Sequence, residues 1–197
     1  MKPKIKFCGM TRGCDITSAE ALNVDFLGLI FVPSSARSVS LSEAKLLRRD
    51  IRKAKFVGVF ADHSVEVIED YARTLHLDYV QLHGRPDLEK VKAISKPVIQ
   101  AFRGIPNLAT LESFLSVCPY FLLDKAEGAD EADFSSVAAL PSAIRSKLFL
   151  AGGLTPANVR EVADAVQPFA VDTARGIEFH PGIKDYQRMF SFSQSFS

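Results

Sequence analysis

The sequence predicts a small (β/α)8 barrel, an α/β fold in which eight parallel strands alternate with helices around a closed sheet. Eight short apolar runs recur from one end of the chain to the other, and segments with helical spacing separate them. Several runs are almost continuously apolar, as expected of parallel strands that are covered on both faces. The chain has 197 residues, near the lower size limit for such barrels, so we expect a single domain over 1–197. An open doubly wound sheet is the structural alternative.

The predicted strands are rich in branched and aromatic apolar residues and lie near 4–8, 25–31, 56–60, 78–82, 97–102, 120–123, 148–151 and 169–172. Apolar residues spaced three to four apart predict helices, most clearly over 65–75 and 159–166 and more loosely over 41–51. The sixth unit is the weakest. There, 125–135 has the composition of a loop and leaves room only for a short helix before Pro141.

Two helix starts carry capping signals. Ser40 and Glu43 have the spacing of a capping box, and Thr155-Pro156 has the order of an N-cap followed by proline at the first helical position. At the other end of the chain, we expect the Ser/Phe/Gln-rich tail 191–197 to be frayed.

Composition indicates an ordinary globular protein, with 47% hydrophobic and 24% charged residues and a net charge of +1. No basic block points to a nucleic-acid or membrane-surface partner. No apolar run approaches the roughly 20 residues that a membrane span needs, and the N-terminus shows no signal-like stretch. The three cysteines are scattered at 8, 14 and 118, which argues against a disulfide framework or a zinc site and predicts a cytoplasmic location.

Cys8 and Asp124 each stand at the end of a predicted strand. In such barrels the carboxyl ends of the strands form the active site, so a thiol and a carboxylate would share one rim. One group could take a proton and the other give it, as an isomerase requires. Cys8 alone would more often be a buried structural residue. Asp124 is costly to bury without a purpose, although it could also cap a helix or pair with Lys125 or Arg175.

The loops after strands seven and eight predict a phosphate site. Gly152 and Gly153 follow strand seven, where adjacent glycines let backbone N–H groups approach an anion near a helix start. Asp172, Arg175 and Gly176 follow strand eight. Either segment alone is more often a simple tight turn, but phosphate is frequently held by this pair of loops.

Three further residues are candidates for substrate binding. Arg37 lies in the loop after strand two, where it suits an anion clamp over the barrel mouth, although it could be a surface charge. Gln81 and His83 end strand four. A lone histidine there is as often a satisfied hydrogen-bonding residue as a functional one.

Residues 6–11, Lys-Phe-Cys-Gly-Met-Thr, resemble the Lys-Ile-Cys-Gly-hydrophobic-Thr opening of the phosphoribosylanthranilate isomerase family of tryptophan biosynthesis. Six more blocks match the family in order, at 28–40, 57–60, 80–84, 122–124, 150–159 and 172–185. The resemblance implies a ribulose-phosphate-binding TIM barrel and an aldose-ketose isomerase. The implied Amadori rearrangement converts N-(5-phosphoribosyl)anthranilate to 1-(2-carboxyphenylamino)-1-deoxyribulose 5-phosphate. It needs no metal or organic cofactor, and the family contains monomers and homodimers.

The resemblance also implies roles for individual residues. Asp124 would be the acid that protonates the furanose ring oxygen, and Cys8 the base that removes the proton from C2 of the sugar. We expect burial to raise the pKa of Asp124 and the surroundings to lower the pKa of Cys8. Arg37 would hold the anthranilate carboxylate and Asp172 would contact a sugar hydroxyl. The phosphate would be bound by backbone amides of Gly152, Gly153 and Gly176.

Two segments depart from the family pattern. The loop 125–135 keeps one glycine and Phe134 of the family's Gly-rich Phe-Asp-Trp lid, so the lid would close differently. Ala174-Arg175 replaces the usual Ser-Ser before Gly176. Arg175 could compensate with a charge-assisted phosphate contact worth up to about 1.5–3 kcal/mol. Alternatively, it could point at Asp124 and stabilise the carboxylate at the expense of the acid.

Other functions stay open at this point. A pentulose-phosphate epimerase would need His and Asp metal ligands on several strand ends, where His83 stands alone. The related histidine-pathway isomerase would need aspartate in place of Cys8. A barrel that binds phosphate ligands without turnover would account for the two altered loops.

Overall fold

Eight parallel strands close into a barrel in the computed structural model, which describes residues 2–129 and 132–196. The strands are β1 (Lys4–Cys8), β2 (Phe26–Ile30), β3 (Lys55–Phe60), β4 (Tyr79–Leu82), β5 (Val98–Arg103), β6 (Tyr120–Asp124), β7 (Leu148–Leu150) and β8 (Ala170–Thr173). β8 pairs with β1, with Asp172 opposite Lys6, and this pairing excludes the open-sheet alternative. The (β/α)8 fold is therefore confirmed, whereas a single domain over 1–197 stays a prediction.

The helices are α1 (Gly13–Ala21), α2 (Leu41–Leu47), α3 (Val65–Leu75), α4 (Leu88–Ala93), α5 (Leu108–Leu115), α6 (Phe134–Ala138), α7 (Ser142–Arg145), α8 (Val159–Val166) and α9 (Tyr186–Gln194). A short antiparallel pair, β9 (Glu178–His180) and β10 (Ile183–Lys184), lies between β8 and α9. The predicted helices 65–75 and 159–166 have the bounds of α3 and α8. The sixth unit contains only short helices, as predicted, and residues 130–131 of its loop lie outside the described residues. None of the described helices combines the length and the apolar character that crossing a bilayer demands.

One of the two capping predictions is confirmed. The Glu43 N–H donates to Ser40 Oγ (3.2 Å) and the Ser40 N–H donates to Glu43 Oε2 (2.7 Å), which completes the capping box of α2. The Thr155-Pro156 prediction is wrong, because α8 begins at Val159 after a turn. Asn158 Oδ1 accepts from the Thr155 N–H (2.8 Å) and holds that turn.

The expectation of a frayed tail is wrong over 191–196. Helix α9 continues to Gln194, and the Phe192 side chain is fully buried. Its ring centroid lies 5.8 Å from that of Phe7 in an edge-to-face contact. Aromatic residues at helical spacing thus bury an apolar face against β1, which composition alone does not reveal.

The barrel interior changes from apolar to polar along its axis. Aromatic rings fill the amino-terminal end and belong to Phe26, Tyr79, Tyr120, Phe149 and Phe169, with the Phe26 and Phe149 centroids 5.0 Å apart. Lys6 is paired with Phe26 in register and faces the same interior, because paired residues of neighbouring strands point to one side. Towards the carboxyl ends of the strands the inward positions become Lys6, Cys8, Gln81, Asp124 and Asp172. This end therefore carries the reactive groups.

Candidate active site

Two cavities open at the carboxyl-terminal rim of the barrel. One of about 440 Å³ lies beside β6, β7 and β8 and is lined by Asp124, Asp172, the glycine loops and Arg175. The other, of about 910 Å³, lies over β2 to β5 and has an apolar wall that includes Ile30, Val59 and Phe102. Arg37 lines both cavities and stands at their boundary. The two cavities together could hold an elongated ligand with an anionic end and an aromatic end.

The glycine loops pack backbone against backbone. Gly152 and Gly153 have φ values of +89° and +101°, which side-chain-bearing residues rarely adopt. A Cβ at Gly152 would lie 2.6 Å from the Lys125 amide nitrogen, and one at Gly176 would lie 2.0 Å from the Leu154 carbonyl oxygen. Glycine is thus required where the loops after β6, β7 and β8 meet around the smaller cavity.

Arg175 and Arg188 add positive charge to the smaller cavity. Arg175 lines it together with both Gly176 and Asp124, so both alternatives for this residue stay predictions. Arg188 was missed by sequence analysis, because no motif marks it and only the path of α9 brings it to the cavity.

Asp124 is held by two neighbours. Its Oδ1 accepts from the Lys125 N–H (2.8 Å), and its Oδ2 lies 3.3 Å from His83 Nε2. Burial raises the pKa of Asp124, but the His83 contact, the Lys125 amide and the charge of Arg103 together hold it below its usual value. The expectation of a raised pKa is therefore wrong, and Asp124 is a carboxylate at neutral pH.

Cys8 shows the opposite shift. The residue is 6% exposed, and burial raises the pKa of its thiol above the usual value, although the Lys6 and Lys184 charges oppose the shift. The expectation of a lowered pKa is therefore wrong as well. At neutral pH the sulfur is therefore protonated and Asp124 is not.

Lys6 is a fully buried ammonium inside the barrel and was not singled out from the sequence. Its Nζ donates to Asp172 Oδ1 at 2.8 Å. Burial lowers the pKa of Lys6, but the Asp172 carboxylate and the nearby Cys8 keep it above its usual value, so the side chain is charged. The available signal was a lysine on the inward face of an otherwise apolar strand.

Arg37 is fixed by a buried carboxylate. Its Nε and Nη2 donate to Glu178 Oε1 (2.8 Å) and Oε2 (2.6 Å), and Glu178 also accepts from Lys184 Nζ (2.9 Å). Lys184 Nζ donates in addition to the Cys8 carbonyl oxygen (2.7 Å). This network joins the clamp predicted at Arg37 to the end of β1. Sequence analysis missed Glu178 and Lys184, because each is recognisable only through its partner.

Replacing Glu178 by glutamine should lower the free energy of unfolding by about 3–5 kcal/mol, because it leaves the buried Lys184 without its counter-charge. Urea unfolding followed by circular dichroism measures the change. Glu89→Gln is the matched control, since Glu89 pairs with Lys92 at 2.7 Å on the surface, where such a pair contributes about 0–1 kcal/mol. Equal losses in both variants would contradict the importance given to the buried network.

Gln81 carries an unsatisfied acceptor at the rim. The residue is 2% exposed, and among the described residues its Oε1 has no hydrogen-bond partner. A buried carbonyl oxygen without a donor is uncommon and calls for a partner from outside the chain. Gln81 is not among the residues that line the two cavities, so its role in binding a ligand hydroxyl stays a prediction.

No group of three or more His, Cys, Asp or Glu side chains within residues 2–129 and 132–196 is placed to hold a metal ion. The residues at the rim offer instead one thiol, the Asp124 carboxylate beside a histidine, the Asp172 carboxylate beside a lysine, and several arginines. This set can move protons and bind anions.

A family model described as N-(5'phosphoribosyl)anthranilate (PRA) isomerase matches residues 5–195. An N-(5'-phosphoribosyl)anthranilate isomerase of Stenotrophomonas maltophilia is 35% identical over 202 residues, which cover 97% of this chain and 91% of the relative. The corresponding enzyme of Chromohalobacter salexigens is 36% identical over 203 residues, covering 97% of this chain and 92% of its own.

Solved structures agree with the sequence relatives. The phosphoribosyl anthranilate isomerase of Thermotoga maritima superposes with a TM-score of 0.86 at 32% identity, covering 98% of each chain. A phosphoribosyl anthranilate isomerase in complex with reduced 1-(o-carboxyphenylamino)-1-deoxyribulose 5-phosphate has a TM-score of 0.83 at 33% identity and covers 98% of this chain and 97% of its own.

Proposed function

The chain belongs to the N-(5'-phosphoribosyl)anthranilate isomerase family, and we propose that Cys8 and Asp124 are the base and the acid of its reaction. The reaction is the Amadori rearrangement of N-(5'-phosphoribosyl)anthranilate to 1-(2-carboxyphenylamino)-1-deoxyribulose 5-phosphate in tryptophan biosynthesis. The observation that carries the proposal is the position of the two groups at the ends of β1 and β6, beside a cavity suited to a phosphate. The substrate is a small phosphorylated molecule.

Asp124 gives its proton to the furanose ring oxygen, and the ring opens to a Schiff base. The carboxyl must therefore be protonated when substrate is bound, although the free protein favours the carboxylate. Two features of the bound substrate raise the pKa of Asp124. The substrate brings a phosphate and a carboxylate, and nearby negative charge raises the pKa of an acid. The bound sugar also displaces water from the carboxyl, which favours its neutral form.

Cys8 takes the proton from C2 of the Schiff base. The C–H electron pair becomes the double bond of an enolamine, and the enolamine then tautomerises to the ketone. Because the free thiol is protonated, catalysis uses the minor population in which the sulfur is a thiolate and Asp124 carries a proton. Cys8 and Asp124 thus both react in the protonation state opposite to the one that predominates at neutral pH.

Binding is divided between the two cavities. Gly152, Gly153 and Gly176 offer backbone amides to the phosphate, and Arg175 adds charge. At the other end, Arg37 holds the anthranilate carboxylate while the aromatic ring lies against the apolar wall. The sugar lies between, where Gln81 Oε1 and Asp172 accept from its hydroxyls, and His83 positions Asp124.

Replacing His83 by alanine should move the acid limb of the kcat/KM profile to higher pH. The imidazole holds the pKa of Asp124 down, so its removal raises that pKa. The active form needs a protonated Asp124 and a Cys8 thiolate. Because the pKa of Asp124 lies below that of Cys8, the acid limb of the profile reports the ionisation of Asp124. Stopped assays over a range of pH measure the shift. A limb that stays in place would show that His83 does not act through Asp124.

We also propose a cytoplasmic location and either a monomer or a homodimer. The three cysteines are free, as suits a reducing compartment. A relative from Thermotoga maritima is described as dimeric. Sedimentation at several protein concentrations distinguishes the two assembly states.

A fluorescence assay that follows the loss of N-(5'-phosphoribosyl)anthranilate tests the reaction. Purified protein should convert the substrate in the presence of a chelator, and borohydride reduction of the product should trap the ketone at C2. Calorimetric titration with the reduced product analogue, run in parallel, separates catalysis from binding. Tight binding with a rate no higher than that of buffer would support the non-catalytic barrel instead.

A further inference from the structure

Lys6 occupies a position that barrels of this kind normally fill with a bulky apolar side chain. Its side chain is 0% exposed, and transferring an ammonium into such an interior costs several kcal/mol unless a partner compensates. Asp172 is that partner, directly opposite in the pairing that closes the barrel. An apolar pair would close the barrel at no such cost, so the ion pair calls for a second explanation.

The second explanation lies at Cys8, two residues further along β1 on the same inward face. The Lys6 and Cys8 side chains occupy alternate positions of β1 and face the same interior, so the Lys6 charge acts on the Cys8 thiol as well as on Asp172. A Cβ on Gly28 would come within 2.9 Å of Cys8 Sγ, so the missing side chain leaves room for the sulfur. The sulfur therefore lies against the bare backbone of β2, with the charge of Lys6 on the same inward face of β1.

Four charged groups face Cys8, and they come from different elements. Lys6 lies on β1, Asp172 on β8, Lys184 on β10 and Arg37 in the loop after β2. Lys6 has the largest charge effect on the thiol, larger than that of Asp172. Lys184 and Arg37 share the single carboxylate of Glu178, which offsets one of their two positive charges.

We propose that Lys6 is a positioning residue of the isomerase, whose ammonium, anchored by Asp172, lies beside the Cys8 sulfur and stabilises the thiolate. The inference rests on the proposed role of Cys8 as base. When the thiolate takes the proton from C2, an S–H bond forms and the C–H pair enters the enolamine. Lys6 keeps its three protons throughout, so it exchanges nothing with the substrate.

Lys6→Met tests the proposal, since methionine keeps the length of the side chain and removes the charge. The ultraviolet absorbance of the thiolate, taken as the difference from Cys8→Ala protein, gives the titration midpoint of Cys8 without substrate. The midpoint should rise by about one pH unit or more, which corresponds to about a tenfold smaller thiolate fraction. The kcat at neutral pH should fall by a similar factor while KM changes little.

Lys4→Met is the matched control, because Lys4 lies on the same strand but pairs with Asp25 at the exposed end. Its thiol titration should equal that of the wild type. Since Lys6→Met leaves Asp172 buried without a counter-charge, the double variant Lys6→Met/Asp172→Asn provides a neutral pair that can fold. Its midpoint should also rise, because Lys6 has a larger effect on the thiol than Asp172 has.

A measurement on the wild type removes any dependence on the folding of the Lys6 variants. The 15N signal of Lys6 Nζ should shift with the midpoint of the Cys8 thiol and lose that transition in Cys8→Ala. Unchanged thiol titration in the Lys6 variants, or an unresponsive Nζ signal, would overturn the proposal and leave Lys6 as a structural partner of Asp172. These measurements need no turnover, so their outcome does not depend on whether Cys8 is the base of the reaction.

Discussion

Cys8→Ala should lower kcat by about 100-fold or more, because the enolamine then forms without a positioned base. The methyl group keeps the backbone of β1, and Lys184 continues to bond the carbonyl oxygen of residue 8. Substrate contacts at the phosphate and carboxylate ends are untouched, so affinity for the reduced product analogue should stay within a few-fold. A loss in kcat with little change in binding is the signature of a group that acts in the transition state.

The loss of phosphoribosylanthranilate fluorescence measures kcat, and titration calorimetry measures binding. Cys14→Ala is the control for loss of a thiol, since Cys14 is exposed on α1. Cys8→Ser adds a finer comparison, because a hydroxyl of similar size is a far weaker base at neutral pH. Wild-type turnover in Cys8→Ala would remove this residue from the mechanism and require another base at the rim.

Strand positions were predictable because parallel strands in a barrel are buried on both faces. Such strands are short continuous apolar runs, and the predicted 4–8 and 120–123 agree closely with Lys4–Cys8 and Tyr120–Asp124. The helix at 65–75 was predictable for a related reason, since one apolar stripe covers the sheet. Prediction from the local sequence pattern failed where a tertiary contact determined the structure. The turn held by Asn158 delayed α8, and the contact between Phe192 and Phe7 ordered the tail.

The positions of the reactive groups were predictable, but their electrostatic surroundings were not. Asp124 acquires its partner His83 from a strand end 41 residues away, and Lys6 meets Asp172 across 166 residues. Each pKa is a balance between burial and such contacts, and its direction changes with the geometry of one partner. Sequence analysis therefore placed the proposed acid and the proposed base at one rim, yet gave the wrong direction for both pKa values.

Asp124→Asn should also lower kcat by about 100-fold or more, since an amide has no proton to give to the ring oxygen. The substitution is nearly isosteric. The amide oxygen can still accept from the Lys125 N–H, and the amide nitrogen can donate to His83 Nε2, so both present contacts survive. The fold and the two cavities should therefore persist, and the loss isolates proton donation from packing.

The position of the block identifies the step. Asp124→Asn should stop the reaction before the furanose ring opens, whereas Cys8→Ala should allow opening and block proton removal from C2. Substrate deuterated at C2 should show a smaller isotope effect on kcat in Asp124→Asn than in Cys8→Ala. Asp164→Asn is the control, because Asp164 forms an exposed pair with Arg160 on α8. If Asp124→Asn turned over at the wild-type rate, the ring oxygen would have to receive its proton from His83 or solvent, and the proposed division of roles would be wrong.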